Sequence, residues 1–211
     1  MRSLAIYCAE IGSIQAGNFA WARGERRVGV RITHKGEDIA GLAEWITLDF
    51  NAGRPVALGF ECPLFLPIRD HPDKLTCQRD GEDGYPWSAR AGAQVLVTGL
   101  AETIWILRTI RQSGIRPFLV WEAFRRAGRG LFLWEAFVTS RATGRSRTDG
   151  RSHIKDAEIA VKRFARRVPR MMSASDIREK VVYSLLGAAL LRTGWSKDLT
   201  LLETACVVIK A

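Results

Sequence analysis

The chain has 211 residues, 47% of them hydrophobic, enough apolar material for one folded domain and too much for a disordered one. The opening Met1-Arg2-Ser3-Leu4 soon meets Glu10, which argues against a secretory leader, and no run of about 18 apolar residues offers a membrane span, so a cytoplasmic protein away from the membrane is expected. The net charge is +10, and between Arg125 and Arg170 there are 13 Lys and Arg against four Asp and Glu, so most of the excess sits in one stretch and implies a polyanionic partner, nucleic acid above all.

Leu4–Ala9 is an almost unbroken apolar run, the pattern of a central strand buried on both faces, and Glu10 closes it. A loop over 12–18 leads to two more strands, Phe19–Ala22 and Val28–Ile32, with Gly24-Glu25-Arg26-Arg27 as the turn between them. In Asp38–Phe50, residues Ile39, Leu42, Ala43, Ile46 and Phe50 fall at helical spacing, and Asn51-Ala52-Gly53 stops the helix. Pro55–Phe60 is strand-like again and ends in Glu61. A strand, helix, strand order implies a crossover and a parallel pair.

Cys62–Ser88 holds Pro63, Pro67, Pro72 and Pro86 and a charged patch over 79–84, an irregular excursion of the kind that carries function. Ala89–Gln112 is the strongest helical pattern, with Leu96, Leu100, Ile104, Leu107 and Ile110 along one face and Gly114 beyond its end. Phe118–Phe124 and Leu131–Phe137 echo each other in Trp-Glu-Ala-Phe and read as two strands joined by a basic turn. Ser152–Arg167 is a helix with Ile154, Ala157, Val161 and Ala165 inward and arginines outward, closed by Pro169. Asp176–Arg192 reads as a further helix and Ala205–Ile209 as a terminal strand. No linker divides the chain, so 1–211 is expected as a single domain with a C-terminal helix and strand elaboration.

Cys8, Cys62, Cys77 and Cys206 are far apart and form no C-x-x-C pair, so they read as reduced, buried thiols and not as a zinc site. The candidate chemistry lies in carboxylates. Three apolar runs end in Glu10, Glu61 and Glu135, and the basic helix carries His153-x-x-Asp156-Ala157. Acidic tips gathered at one sheet edge supply the hard oxygen ligands that Mg²⁺ or Mn²⁺ takes. Each has a plainer reading: Glu10 in an ion pair at a strand end, Glu61 bracing a Pro-rich loop, Asp156 solvated on its helix, His153 at a helix start. Glu135 has a twin in Glu122, so at least one of the two is structural. Trp87, in the long loop, is placed to stack on a base.

Meander, helix, strand, long helix, strand, helix is the order of the ribonuclease H-like fold, an α/β mixed sheet with flanking helices. Glu10-Ile11-Gly12 followed by Gly17-Asn18-Phe19-Ala20-Trp21 resembles the Asp-x-Gly…Gly-x-x-x-Trp opening of a poorly characterised family of ribonuclease H-like predicted nucleases. Glu61-Cys62-Pro63-Leu64-Phe65-Leu66-Pro67 is similar to that family's acidic-x-Pro-Leu-x-x-Pro segment. His153-Ile154-Lys155-Asp156-Ala157 is similar to the late-helix motif of Holliday-junction resolvases and related nucleases. In that fold the first strand, the fourth strand and a late helix deliver carboxylates to one place.

The resemblance therefore implies a metal-dependent nuclease that hydrolyses phosphodiesters of DNA or RNA with two Mg²⁺ or Mn²⁺ ions. Glu10, Glu61 and Asp156 are the implied ligands, with Glu135 as a further one and His153 beside them in a catalytic role. Arg141, Arg145, Arg147 and Arg151 are the expected grip on the nucleic-acid backbone. Two positions depart from the pattern: Glu10 stands where the family has Asp, and His153 where an acid often stands. The alternative is accordingly a non-catalytic nucleic-acid-binding protein on the same fold. A third reading is a structural protein whose basic face meets an acidic partner.

Overall fold

The computed structural model describes residues 3–26, 29–138, 151–168 and 175–211, with 151 and 152 given by backbone alone. Strands β1 (Ala5–Glu10), β2 (Ala20–Arg26) and β3 (Val30–Gly36) form the antiparallel meander. Helix α1 (Ile39–Asn51) crosses over to β4 (Val56–Phe60), which pairs with β1 in parallel. After β5 (Phe65–Pro67), helix α2 (Arg90–Thr109) leads to the two-residue β6 (Pro117–Phe118), α3 (Trp121–Ala127) and β7 (Leu131–Phe137). Helix α4 (Arg151–Arg167), β8 (Val182–Ser184), α5 (Leu185–Arg192) and β9 (Val207–Lys210) complete the described chain. The main sheet has seven strands in the order β3-β2-β1-β4-β7-β6, with β9 beside β7, while β5 and β8 form a small antiparallel pair. The two short partners share one edge of β7: β6 takes Leu131 and Phe132, and β9 takes Trp134 to Phe137. The protein is thus an α/β fold with a mixed sheet and flanking helices, in the element order expected of a ribonuclease H-like arrangement.

Strict alternation divides the core between the two faces of the sheet. Ala5, Tyr7 and Ala9 of β1 face α1, α2 and α5, together with Val56, Leu58 and Phe60 of β4. Ile6 and Cys8 face α3 and α4, with Ala57 of β4 and Phe132 and Trp134 of β7. A buried polar network ties the first face together. Tyr7 donates to Asp49 Oδ2 at 2.5 Å, and Arg23 grips both oxygens of Asp49 at 2.8 and 2.9 Å. Burial, with Asp49 next in weight, pushes the Tyr7 hydroxyl far above its ordinary range.

Several elements differ from the sequence expectation. Gly24, Glu25 and Arg26 are not a turn but the end of β2. Gly24 is there for close approach: a Cβ on it would lie 2.7 Å from Val161 Cγ1 of α4. Phe118–Phe124 is not a strand. Only Pro117 and Phe118 pair with β7, and Trp121–Ala127 is a helix ended by Gly128 at φ 69°. Trp121 and Phe124 are both buried in one cluster, which i, i+3 spacing on a helix allows and strand alternation forbids. Asp176–Arg192 is not one helix either: β8 precedes α5, whose first turn is capped by the Ser184 hydroxyl accepting from Gly187 N–H. Cys77 is exposed, unlike the other three free thiols. Among the described residues, no helix is long and apolar enough to cross a membrane.

Candidate active site at the carboxyl edge of the sheet

Every residue of β1 is buried, so its carboxyl end brings Glu10 to the rim of the sheet at 2% exposure. Ala9 lies opposite Phe60, and Glu61 N–H donates to Ala9 O at 2.8 Å, which carries the pairing one residue past β4. Glu10 and Glu61 therefore lie side by side on adjacent parallel strands. Both continue the rows of Cys8 and Gly59 on the α4 face. Glu61 Oε2 is buried and has no hydrogen-bond partner.

Helix α4 supplies the other two groups. It packs across β1 and β2 through Ala157, Ala160, Val161 and Phe164, and it begins at the same rim. There His153 Nδ1 lies 3.2 Å from Glu10 Oε1. Asp156, three residues on, is 8% exposed. Cys8, one layer below, senses this gathering. Burial raises its thiol pKa well above the ordinary value, and after burial come the charges of Glu10, Cys62 and Asp156. Glu158 turns away and pairs with Lys35 at 2.8 Å.

Glu135 is corrected as a ligand of this group. Its Cα pairs with Phe60, so alternation sends its side chain to the opposite face of the sheet from Glu10 and Glu61. There both of its oxygens are engaged by Arg79, at 2.6 and 3.0 Å, and one also accepts from Leu64 N–H at 2.9 Å. Arg79 is wholly buried, bonds Glu82 at 2.8 Å, and lies 4.6 Å over the Phe65 ring. Burial alone would lower its pKa, but Glu135 and then Glu82 outweigh it and keep the guanidinium charged. This ion pair fastens the long 61–89 excursion to the sheet. Sequence inspection saw only a charged patch, and the Arg79…Glu82 spacing of three residues was its one signal. Glu122 is in the first turn of α3, with Oε1 buried and unpartnered.

Glu102 was missed altogether. It lies inside α2 at 6% exposure, one turn from Gly99, whose packing against Cys62 is so close that a Cβ would stand 2.5 Å from Sγ. Burial pushes its pKa up to about 7, partly offset by the Gly12 backbone N–H of the loop that follows Glu10. The apolar stripe read from the sequence, Leu96, Leu100, Ile104, Leu107 and Ile110, leaves Glu102 on the other side of the helix, whereas the buried face is turned to take in Gly99, Glu102, Thr103, Ile106 and Leu107.

Arg141, Arg145 and Arg147 lie outside the described residues. Arg151 opens α4 at the carboxyl rim. Lys155, Arg163 and Arg166 are exposed along α4, and Arg125, Arg126 and Arg129 lie exposed at the end of α3 and the turn after it.

Among the described residues, no three His, Cys, Asp or Glu side chains are drawn in around one point as the ligands of a metal ion. What the structure sets at one rim is two adjacent strand-tip carboxylates, an imidazole against one of them, and Asp156 three residues further along the same helix. That donor set suits a hard divalent cation, and the unpartnered Glu61 oxygen is a buried acceptor that a cation would satisfy. Comparison with protein-family models, with curated proteins and with solved structures finds no match to the chain.

Proposed function

We propose that the protein is a metal-dependent nuclease. The observation that carries this reading is the register that sets Glu10 beside Glu61 at the carboxyl rim, under the helix that presents His153 and Asp156. Glu10, Glu61 and Asp156 would hold Mg²⁺ or Mn²⁺. A pair of such ions bound there supplies activation of water and stabilisation of the leaving oxygen in phosphodiester hydrolysis. His153 orients Glu10 through Nδ1, and its imidazole is the group beside the carboxylates able to exchange a proton near neutral pH. The amino end of α4 points its positive dipole end toward the same rim, where negative charge is most favourable. The excess of Lys and Arg in the 125–170 stretch attracts the polyanion.

The test is a cleavage assay on single-stranded, duplex and branched substrates with Mg²⁺ or Mn²⁺, with and without chelator. Asp156→Asn keeps the shape and loses the charge, so cleavage should be abolished while nucleic-acid binding survives. Cleavage that persists in Asp156→Asn, or that ignores chelator, removes Asp156 from the chemistry. The second reading, a nucleic-acid binder without catalysis, draws on the Glu10–His153 contact, which engages one of the oxygens a metal would need. No cleavage of any substrate would favour it.

A further inference from the structure

The carboxylates at the rim open into a cleft of about 200 Å³. Glu10 and Glu61 are among its lining residues. Its walls come from the far end of the long excursion (Tyr85, Pro86 and Trp87), from Val95 of α2, and from Phe137 at the end of β7. This is smaller than the roughly 300–1,000 Å³ that encloses a drug-sized ligand, and it suits one flat ring system. Glu82 and Glu135 also line the cleft, and both are engaged from within the protein by Arg79, whose single charge offsets one of the two. The lining thus sets apolar and aromatic groups beside carboxylates.

The wall is also held in place. Trp87 donates its indole N–H to Cys77 O at 3.1 Å and its backbone N–H to Glu82 Oε2 at 3.1 Å. At the mouth stands Arg90, exposed and first in α2, whose N-cap residue Ala89 supplies no side-chain acceptor. A cation at the start of a helix thus lies beside the cleft, where negative charge is favoured.

We propose that this cleft receives one unpaired nucleobase, so that the substrate is a single strand, or a strand with a displaced nucleotide, and not an intact duplex. The proposal rests on the nuclease reading for its setting and deepens it. Depth is the reason. Glu10 and Asp156 are 2% and 8% exposed, so a scissile phosphate must come inside the rim to meet them. The phosphates of an intact duplex ride on the outside of a stiff cylinder and cannot descend. A strand with a splayed nucleotide can, and its base then has to be placed somewhere close by. The aromatic cleft adjoins the carboxylates, and base–aromatic stacking is the sequence-tolerant way to fill it.

The experiment is equilibrium binding of labelled DNA and RNA oligonucleotides in chelator, where cleavage plays no part. Wild type should bind single strands more tightly than duplexes of equal length. Trp87→Ala should weaken single-strand binding about tenfold, within the range for loss of one stacking partner, and leave duplex binding and the salt slope unchanged. Trp87→Phe, which keeps a ring and loses only the N–H to Cys77, should retain most of the affinity. Val95→Phe, which fills the cleft from α2 and leaves Trp87 in the sequence, should reproduce the loss, with circular dichroism confirming the fold of each variant. Equal affinity of wild type and Trp87→Ala for single strands, or tighter duplex binding by wild type, overturns the proposal even if cleavage is found. Trp87-dependent single-strand binding without any cleavage leaves the base cleft standing and removes the nuclease instead.

Discussion

At the scale of single residues, Glu102 carries the clearest pH signature. Burial raises its pKa to about 7 from an ordinary value of 4.5. Between those values the folded state holds more protons than the unfolded state, so stability falls as pH rises through that window. Glu102→Gln keeps an acceptor for the Gly12 N–H and removes the cost of ionisation. The variant should be the more stable protein above about pH 7, by up to about 3 kcal/mol, and the advantage should vanish below about pH 4.5. Thermal melts of both proteins from pH 4 to 8 check this; a constant difference in melting temperature would refute the assignment. Arg79 makes the opposite kind of contribution. Arg79→Ala strands the Glu135 carboxylate in the interior and should cost about 3–5 kcal/mol, measurable by denaturant unfolding. Glu135→Gln should lower stability yet leave the affinity for Mn²⁺ in titration unaltered, because both of its oxygens are already engaged by Arg79 and Leu64 N–H. A lost Mn²⁺ site in Glu135→Gln would return Glu135 to the ligand set.

At the scale of elements, the docking of α4 decides whether the site exists. His153 and Asp156 reach the rim only because α4 comes down onto β2 at Gly24. Gly24→Ala places a methyl group against a stiff, β-branched Val161 and should cost about 1–3 kcal/mol through overpacking. The same displacement moves His153 from Glu10, so activity should fall further than stability does. Activity that simply tracks the folded fraction would show that α4 tolerates the shift. This element also shows what was legible in the sequence. Five apolar residues ending in an acid mark a central strand, and β1 and β4 followed from that pattern alone. Helix α4 was equally plain, with Ala157, Val161 and Ala165 inward as observed. The first Trp-Glu-Ala-Phe was not, because Trp121 and Phe124 are three apart. Such a short apolar segment fits a strand or a helix until its tertiary partners are known. Glu135 was misplaced for a related reason. The sequence shows that a strand ends in an acid, but which face the acid takes depends on register against β4, a long-range property.

At the scale of the whole molecule, the carboxylate site and the basic charge have to act together. A chain with an excess of ten positive charges gathers a polyanion over a Debye length of about 8–10 Å at ordinary salt. The chemistry proposed for Glu10, Glu61 and Asp156 requires that polyanion to be held beside three carboxylates that repel it. Arg145 and Arg147, which lie outside the described residues, are the arginines the sequence reading expects to grip phosphates. Each phosphate neutralised on duplex DNA contributes about −0.9 to the slope of log K against log salt, and about −0.7 on a single strand. Replacing both Arg145 and Arg147 with Ala should therefore make the single-strand slope shallower by up to about 1.4, with Asp156→Asn leaving it unchanged. The measurement is anisotropy titration from 50 to 300 mM salt in chelator. A double variant with the wild-type slope would move the phosphate contacts off this stretch and onto the exposed arginines of α3 and α4.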